Sequence, residues 1–340
     1  MANCYPKDLG FRFPAEWEVH EATWLTWPVP HVVWGKRLQG ARAEFARLIG
    51  TIAQFEPVNL IVRDNEAEKD AKTRLSSFTN GLSNITLHKF PIDDCWLRDN
   101  GPLFLKHAEG QVALSDWRFN AWGGEYEHWD LDNAVSSRIA EKLSMQRFVA
   151  PMILEGGAID VNSQGSCLTT KSCLLNQNRN PDLTQADVES YLHNYLNINE
   201  IIWLEQGFEE DETDGHIDLL ARFVNDETIV CTVAEDRKDE NYAQFERNFM
   251  QLSDTDYEVV VLPMPERKIH KDGERAPLSY ANFYIGNGFV VVPTYDDAND
   301  DHALGLFADL FPDRHVIGQA AEVMITGGGS FHCVTQQQPK

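Results

Sequence analysis

The feature that most limits what this chain can fold into is a recurring unit: two short apolar runs across a turn, an amphipathic stretch, then a third apolar run. Runs of β-branched and aromatic residues between turn residues predict strands, and apolar residues three to four apart predict helices. The first unit has GPLFLKH and VALSDWRF as strands, residues 130–143 as helix and RFVAPMIL as closing strand. The second runs through AIDVN, SCLTT, a helix over 183–196 and EIIWL. The third has LLARFV, TIVCTV, a helix over 239–252 and YEVVVLPMP; the fourth has NFYIG, FVVVPTY, a helix over 300–310 and RHVIG. A fifth can be completed only by joining the two ends of the chain. FHCVT would pair with ATWLTW, followed by a helix over 38–55 with Phe45, Leu48, Ile49, Ile52 and Phe55 on one face, and then VNLIV. The segment 64–90 adds a further helix and the strand NITLHKF. Five units closed by the termini predict a cyclic, propeller-like α/β fold, with one large mixed sheet as the alternative. No linker or abrupt change of composition divides the chain, so residues 1–340 read as a single domain.

Closure has a chemical consequence, because equivalent positions of a ring surround one axis. The segments that open the strand pairs carry the polar residues. DDCWLRDNGP holds Asp93, Asp94, Arg98 and Asp99, and LEGG holds Glu155. DETDGHID holds Asp211, Asp214, His216 and Asp218, and GGGSFHC holds Cys333. Taken singly, each has an ordinary explanation: a solvated turn, a glycine turn, an acidic loop, a buried inert thiol. Two details are sharper. His216 and Asp218 are two apart and would share a face of a strand, and three glycines before Cys333 allow close backbone approach. His332 would face away from the thiol in an extended segment, so it is not assigned as the base.

Brought together, a thiol, a histidine and several carboxylates suit covalent attack on a cationic sp² carbon. Two aspartates can fix the plane of a guanidinium and hold its charge. The cation in turn favours thiolate at Cys333, and the histidine can carry a proton to the departing amine and activate water. A peptidase would need an oxyanion hole, and carboxylates around its nucleophile would work against it. The net charge of -24, from 53 acidic and 29 basic residues, is the wrong sign for nucleic acid and would draw in a small cation, though on composition alone it could equally serve solubility. The six cysteines form no C-x-x-C pair, which argues against a disulfide framework or a zinc site. MANCYPKDLG lacks the basic and apolar regions expected of a signal peptide and no window approaches the ~20 apolar residues of a membrane helix, so a cytoplasmic protein is expected.

At these residues the chain closely resembles the agmatine deiminases, relatives of the bacterial-type peptidylarginine deiminases in the guanidino-group-modifying (pentein) superfamily. The resemblance rests on FRFPAEWEVHEATWLTWP, DDCWLRDNGP, FNAWGGEY, LEGGAIDV, LLNQNRNP, DETDGHIDLLARFV, SYANFYIGNGFVVVP and GGGSFHCVTQQQP. VPHVVWGK departs from the family's usual spacing before Trp-Gly-Lys. The resemblance implies a fivefold pseudosymmetric α/β propeller of ββαβ units without metal or organic cofactor. It also implies Cys333 as nucleophile, His216 as general acid/base, and Asp99 and Asp218 as the guanidinium clamp. The implied reaction hydrolyses agmatine to N-carbamoylputrescine and ammonia through a thiouronium on Cys333, a step of putrescine (polyamine) biosynthesis. Glu155, Asp93, Asp211 and Asp214 are candidates for the ammonium end, and Trp27 and Trp122 for walls around the aliphatic spacer. Each tryptophan could equally be a core residue. A peptidylarginine deiminase and a non-catalytic guanidine- or polyamine-binding protein are the other readings. Homo-oligomerisation is left open.

Overall fold

The computed structural model describes residues 4–30, 33–78, 83–209 and 211–340. All five expected units are present as separate three- or four-stranded sheets, so the alternative of one large sheet is excluded. In each, an antiparallel pair is followed by a helix and a third strand parallel to the second. The first unit is Leu103–His107 and Val112–Arg118, helix Val135–Leu143, then Arg147–Ile153. The second is Ile159–Val161 and Ser166–Thr170, helix Gln185–Leu196, then Glu200–Leu204. The third is Ala221–Phe223 and Thr228–Val233, helix Tyr242–Ser253, then Glu258–Pro263. The fourth is Tyr284–Gly286 and Phe289–Thr294, helix Asp300–Leu310, then His315–Ala320.

The fifth unit does join the ends of the chain. Thr335–Pro339 pairs antiparallel with His20–Thr26, which runs parallel to Val58–Val62 after the helix Leu38–Ile52. That helix forms because Ala41, Phe45, Leu48, Ile49 and Ile52 fall on one stripe, and all five are buried. The extra helix Asn65–Leu75 and strand Ile85–Lys89 extend this sheet by one parallel strand. Middle strands are covered on both faces, hence the unbroken apolar run over residues 289–293 of the strand Phe289–Thr294. The outer strand His315–Ala320 is partly open.

Three details differ from expectation. The stretch 130–143 is two helices, Asp130–Asn133 and Val135–Leu143. A two-stranded hairpin, His270–Lys271 with Glu274–Arg275, interrupts the third-to-fourth connection. FHCVT is not a strand from its start, since Phe331–Val334 is a helical turn and the strand begins at Thr335. In VPHVVWGK, His31 and Val32 lie outside the described residues, as do residues 79–82 of the segment 64–90.

What positions the site is a set of five short helical turns, one before the first strand of each unit. They are Leu97–Asn100, Gly156–Ala158, Ile217–Leu219, Tyr280–Asn282 and Phe331–Val334. Each turn touches the next, and the last touches the first. The polar residues singled out from the sequence are carried on or beside four of these turns.

Candidate active site

Cys333 lies in the fifth turn and is 5% exposed. Asn282, from the fourth turn, donates from Nδ2 to Cys333 Sγ at 3.2 Å. Its Oδ1 accepts from Ser330 N and Oγ and from His332 N, which draws the chain into a helical turn where β-branched neighbours alone would favour a strand. Asp218 Oδ2 is 3.5 Å from Sγ and 2.7 Å from His332 Nδ1, whose Nε2 meets Glu16 Oε2 at 2.9 Å. His332 therefore supports Asp218, which fits its exclusion as the base.

Asp99, from the first turn, accepts from Trp122 Nε1 at 3.0 Å and Gly157 N at 2.9 Å, and His216 Nδ1 is 3.8 Å from its Oδ1. Gly157 shows why LEGG needs its second glycine. A Cβ there would sit 2.5 Å from His216 Nδ1, 2.9 Å from Asp99 Oδ1 and 3.1 Å from Asp218 Oδ2. The three candidate groups thus crowd one backbone position. His216 and Asp218 do not share a strand face. His216 is an extended residue that caps the 3₁₀ turn in which Asp218 lies.

Burial dominates the electrostatics. It raises the Asp99 carboxyl to about 6, with the charge of His216 opposing. It pushes the Cys333 thiol well above its ordinary value, and Asp218 and Asp99 push it the same way. Burial works against ionising Asp218, but the bond and charge of His332 outweigh it and leave the carboxyl low. For His216, burial is outweighed by Asp99, the nearby Cys173 thiol and Asp218, and the imidazole is held well above its usual range. The resting arrangement is a neutral thiol among carboxylates, with a basic imidazole beside them.

A narrow pocket open to solvent leads to Cys333 between Trp96, Trp122 and Tyr126, with Glu212 at its rim. All three glycines of GGGSFHC line it. A Cβ on Gly329 would lie 2.7 Å from Cys333 Sγ, and one on Gly328, at φ +103°, would lie 3.8 Å from Glu212 Oε2. Bulk at Gly329 would press on the thiol, and the left-handed backbone at Gly328 suits glycine. Thiol and rim carboxylate are therefore served by adjacent residues of one strap.

Cys333, Asp99 and Trp122 line this pocket, with His216 and Asp218 packed against its base. Of the expected tail residues, Trp122 is therefore at the pocket, and the others are engaged elsewhere. Trp27 is fully buried and donates to Asp70, so it is a core residue. Asp93 accepts from Leu131 N, away from the pocket. Asp211 holds its own loop, accepting from Thr213 N and Oγ1 and from Gly215 N. Glu155 and Asp214 are both taken by Arg179, at 2.7 Å and 2.6 Å. Glu155 lies beside His216 at the closed end, where its carboxylate, the Cys173 thiol and the imidazole place donor atoms within 4.8 Å of one another.

Tyr126 was not anticipated in the site, and neither were four further residues. Asn282 is the contribution of the fourth unit, at a position the repeat could have nominated. Trp96 is three residues before Asp99 and so on the same side of its turn. Glu212 was passed over within an acidic run, and Arg179 sits in the LLNQNRNP segment. Arg98, which a local turn would pair with a neighbouring carboxylate, instead reaches Glu16 at 3.3 Å and Gln337 at 2.8 Å.

Comparison with known proteins agrees with this geometry. A Legionella pneumophila (strain Paris) protein provisionally named an agmatine deiminase is 42% identical over 99% of this chain and 98% of its own length. The solved agmatine deiminase of Enterococcus faecalis superposes with a TM-score of 0.94 at 32% identity, covering 100% of this chain and 99% of that one. A cysteine-to-serine variant of the C. jejuni agmatine deiminase, solved with substrate bound, gives 0.90 at 31% identity over 97% and 96% of the two chains. With residues 12–339 matching its description, the chain belongs to the Porphyromonas-type peptidyl-arginine deiminase family.

Proposed function

We propose that this chain is an agmatine deiminase, a hydrolase of a linear amidine C–N bond that converts agmatine to N-carbamoylputrescine and ammonia on the way to putrescine. The observation that carries it is a buried thiol facing two carboxylates at the end of a narrow aromatic pocket whose rim bears a third carboxylate, Glu212. A guanidinium fits the inner carboxylates and an ammonium fits the rim. Asp99 and Asp218 would clamp the guanidinium, and its positive charge offsets the carboxylates that keep Cys333 protonated, so the thiol releases its proton to solvent as substrate docks. The thiolate adds to the guanidinium carbon. Protonated His216 gives its proton to an amino group, which leaves as ammonia and leaves a thiouronium on Cys333. Neutral His216 then takes a proton from water as the oxygen adds, and the C–S bond breaks to restore the thiol. The proton lost at docking ends on ammonia, so the charge balances.

All five units contribute to the site or its supports, which favours reading residues 1–340 as one catalytic domain. No helix among the described residues is long and apolar enough to cross a membrane, and the six cysteines are free, which fits a reducing cytoplasm. Ammonia release from agmatine, set against citrulline formation on an arginine-containing peptide, tests the substrate. Binding of agmatine without ammonia would leave only the binding-protein reading.

Two outcomes are expected here. Glu212→Gln should lower kcat/KM for agmatine about tenfold, near the lower end of a charged hydrogen bond's ~1.5–3 kcal/mol because the rim is solvated. The loss should appear in KM, and n-butylguanidine, which lacks the ammonium, should be unaffected; equal losses on both would remove Glu212 from tail recognition. The second outcome concerns pH. Asp99 must be ionised to hold a guanidinium, and its free-protein value is about 6. Because docking also releases the Cys333 proton, kcat/KM should already fall about tenfold per unit above that value and steepen toward a hundredfold per unit as pH falls through it, while the Asp99 limb of kcat lies lower because bound substrate favours the carboxylate. A kcat/KM profile flat down to pH 4.5 would contradict this.

A further inference from the structure

Behind the guanidine pocket is a donor set that the reaction does not use as a set. Cys173 lies in the helical turn Lys171–Leu174, fully buried, its backbone N–H capped by Thr170. Its sulfur, an oxygen of Glu155 and a ring nitrogen of His216 lie within 4.8 Å of one another. The positions 155, 173 and 216 are too far apart in sequence to suggest a metal motif, and only the packing of the second and third units joins them. Glu155 Oε2 and both nitrogens of His216 are buried without a hydrogen-bond partner among the described residues. The other oxygen of Glu155 is fixed by Arg179, which orients the carboxylate.

A thiol, an imidazole and a carboxylate are the donor types of three-ligand zinc sites with one open position. Tetrahedral bonds of about 2.0–2.3 Å would hold such donors roughly 3.2–3.8 Å apart, so closing from 4.8 Å asks for an ångström or so of side-chain movement. Asp99 and Asp218 nearby add negative charge that favours a dication. Coordination exchanges both the thiol proton and one imidazolium proton for the metal, so ion binding releases two H⁺ and affinity should rise with pH.

We propose that Glu155, Cys173 and His216 form a site for a thiophilic divalent cation such as Zn²⁺, and that its occupation reversibly inhibits the enzyme. The inhibition rests on the role of His216 proposed above, since a metal takes the lone pair the imidazole needs; the binding does not. The metal competes with proton transfer, not with the aromatic pocket, so it should lower kcat more than it raises KM.

The test uses the full chain stripped with chelator. Titration with Co²⁺ should produce a near-ultraviolet thiolate-to-cobalt charge-transfer band that persists in Cys333→Ser and is lost in both Cys173→Ser and Cys173→Ala. The isosteric serine guards against a packing defect in the alanine variant. In buffered Zn²⁺, half-inhibition should move at least tenfold higher in the Cys173 variants, each measured against its own metal-free rate, and chelator should restore the wild type. Absence of the band, or a band lost in Cys333→Ser and kept in Cys173→Ser, would overturn the site. A Cys173-dependent band with unimpaired turnover would overturn the inhibition, and with it the role of His216, while leaving the metal site standing.

Discussion

Cys333→Ser is expected to cut ammonia release from agmatine by about 10⁴-fold or more while the protein stays folded and still binds agmatine. Serine replaces sulfur nearly isosterically, and Asn282 Nδ2 can donate to its oxygen as it does to the thiol at 3.2 Å. The chemistry does not transfer. A bound guanidinium can offset the carboxylates enough to free a thiol proton, but a hydroxyl starts far less acidic, and Asp218 and Asp99 act on it in the same unfavourable direction. His216 cannot take the proton, because Asp99 and its other neighbours hold the imidazole in the protonated form. Calorimetric binding of agmatine to the variant, an unchanged melting temperature and a coupled ammonia assay check the three parts separately. Mass spectrometry adds a direct test, since wild-type protein quenched during turnover should carry the thiouronium mass and the variant should not. Ammonia release from Cys333→Ser at a tenth of the native rate would exclude the thiol as nucleophile.

The contrast between what the sequence revealed and what it hid follows from the range of the interactions involved. The units were legible because strands and helices are written in local periodicity, and the helix Asp300–Leu310 falls on the span that periodicity predicts. The convergence of Asp99, His216, Asp218 and Cys333 followed from counting units and closing the ring. The tail residues did not follow, because whether a carboxylate is free depends on partners remote in sequence. Glu155 and Asp214 look available until Arg179, 24 and 35 residues away, neutralises both. Asp211 is consumed by its own loop, whereas Glu212, one residue on, reaches the rim. Asn282 went unseen because an amide carries no charge to draw attention, although it opens the fourth unit as Cys333 opens the fifth. Trp27 and Trp122 are alike as letters. Only the left-handed backbone at Ala121 and Trp122, with φ of 53° and 52°, turns one of them toward Asp99.

Arg222→Met should be the most destabilising single change, costing about 3–5 kcal/mol at pH 7.5. Arg222 is fully buried at the meeting of three units, and its Nε donates to Asp160 Oδ1 at 2.5 Å. Its Nη2 lies 3.1 Å from Glu16 Oε2, and Nη1 donates to Phe283 O at 3.1 Å, with the guanidinium 4.7 Å from the centre of the Phe283 ring. Methionine fills much of the volume, so the cost is electrostatic: two buried carboxylates lose their main cation. Burial already raises the Asp160 carboxyl against the pull of Arg222, and it opposes ionisation of Glu16, which Arg222, His332 and Arg98 hold well below the usual range. The sign with pH follows. In the native protein a lowered Glu16 contributes stability above its unfolded value near 4.3, lost only as pH falls through the folded value. In the variant both carboxyls would rise above their unfolded values and bind protons on folding, so that protein gains stability as pH falls. The gap between the two should therefore be widest near pH 7.5 and narrower at pH 5, measured by urea unfolding at each. Arg222→Lys keeps the charge and loses the forked geometry, so it should fall between them. Because Glu16 also holds His332, which holds Asp218, kcat should fall in Arg222→Met even under conditions where it remains folded. A deficit below 1 kcal/mol, or one that does not change between the two pH values, would mean that the buried carboxylates do not depend on Arg222.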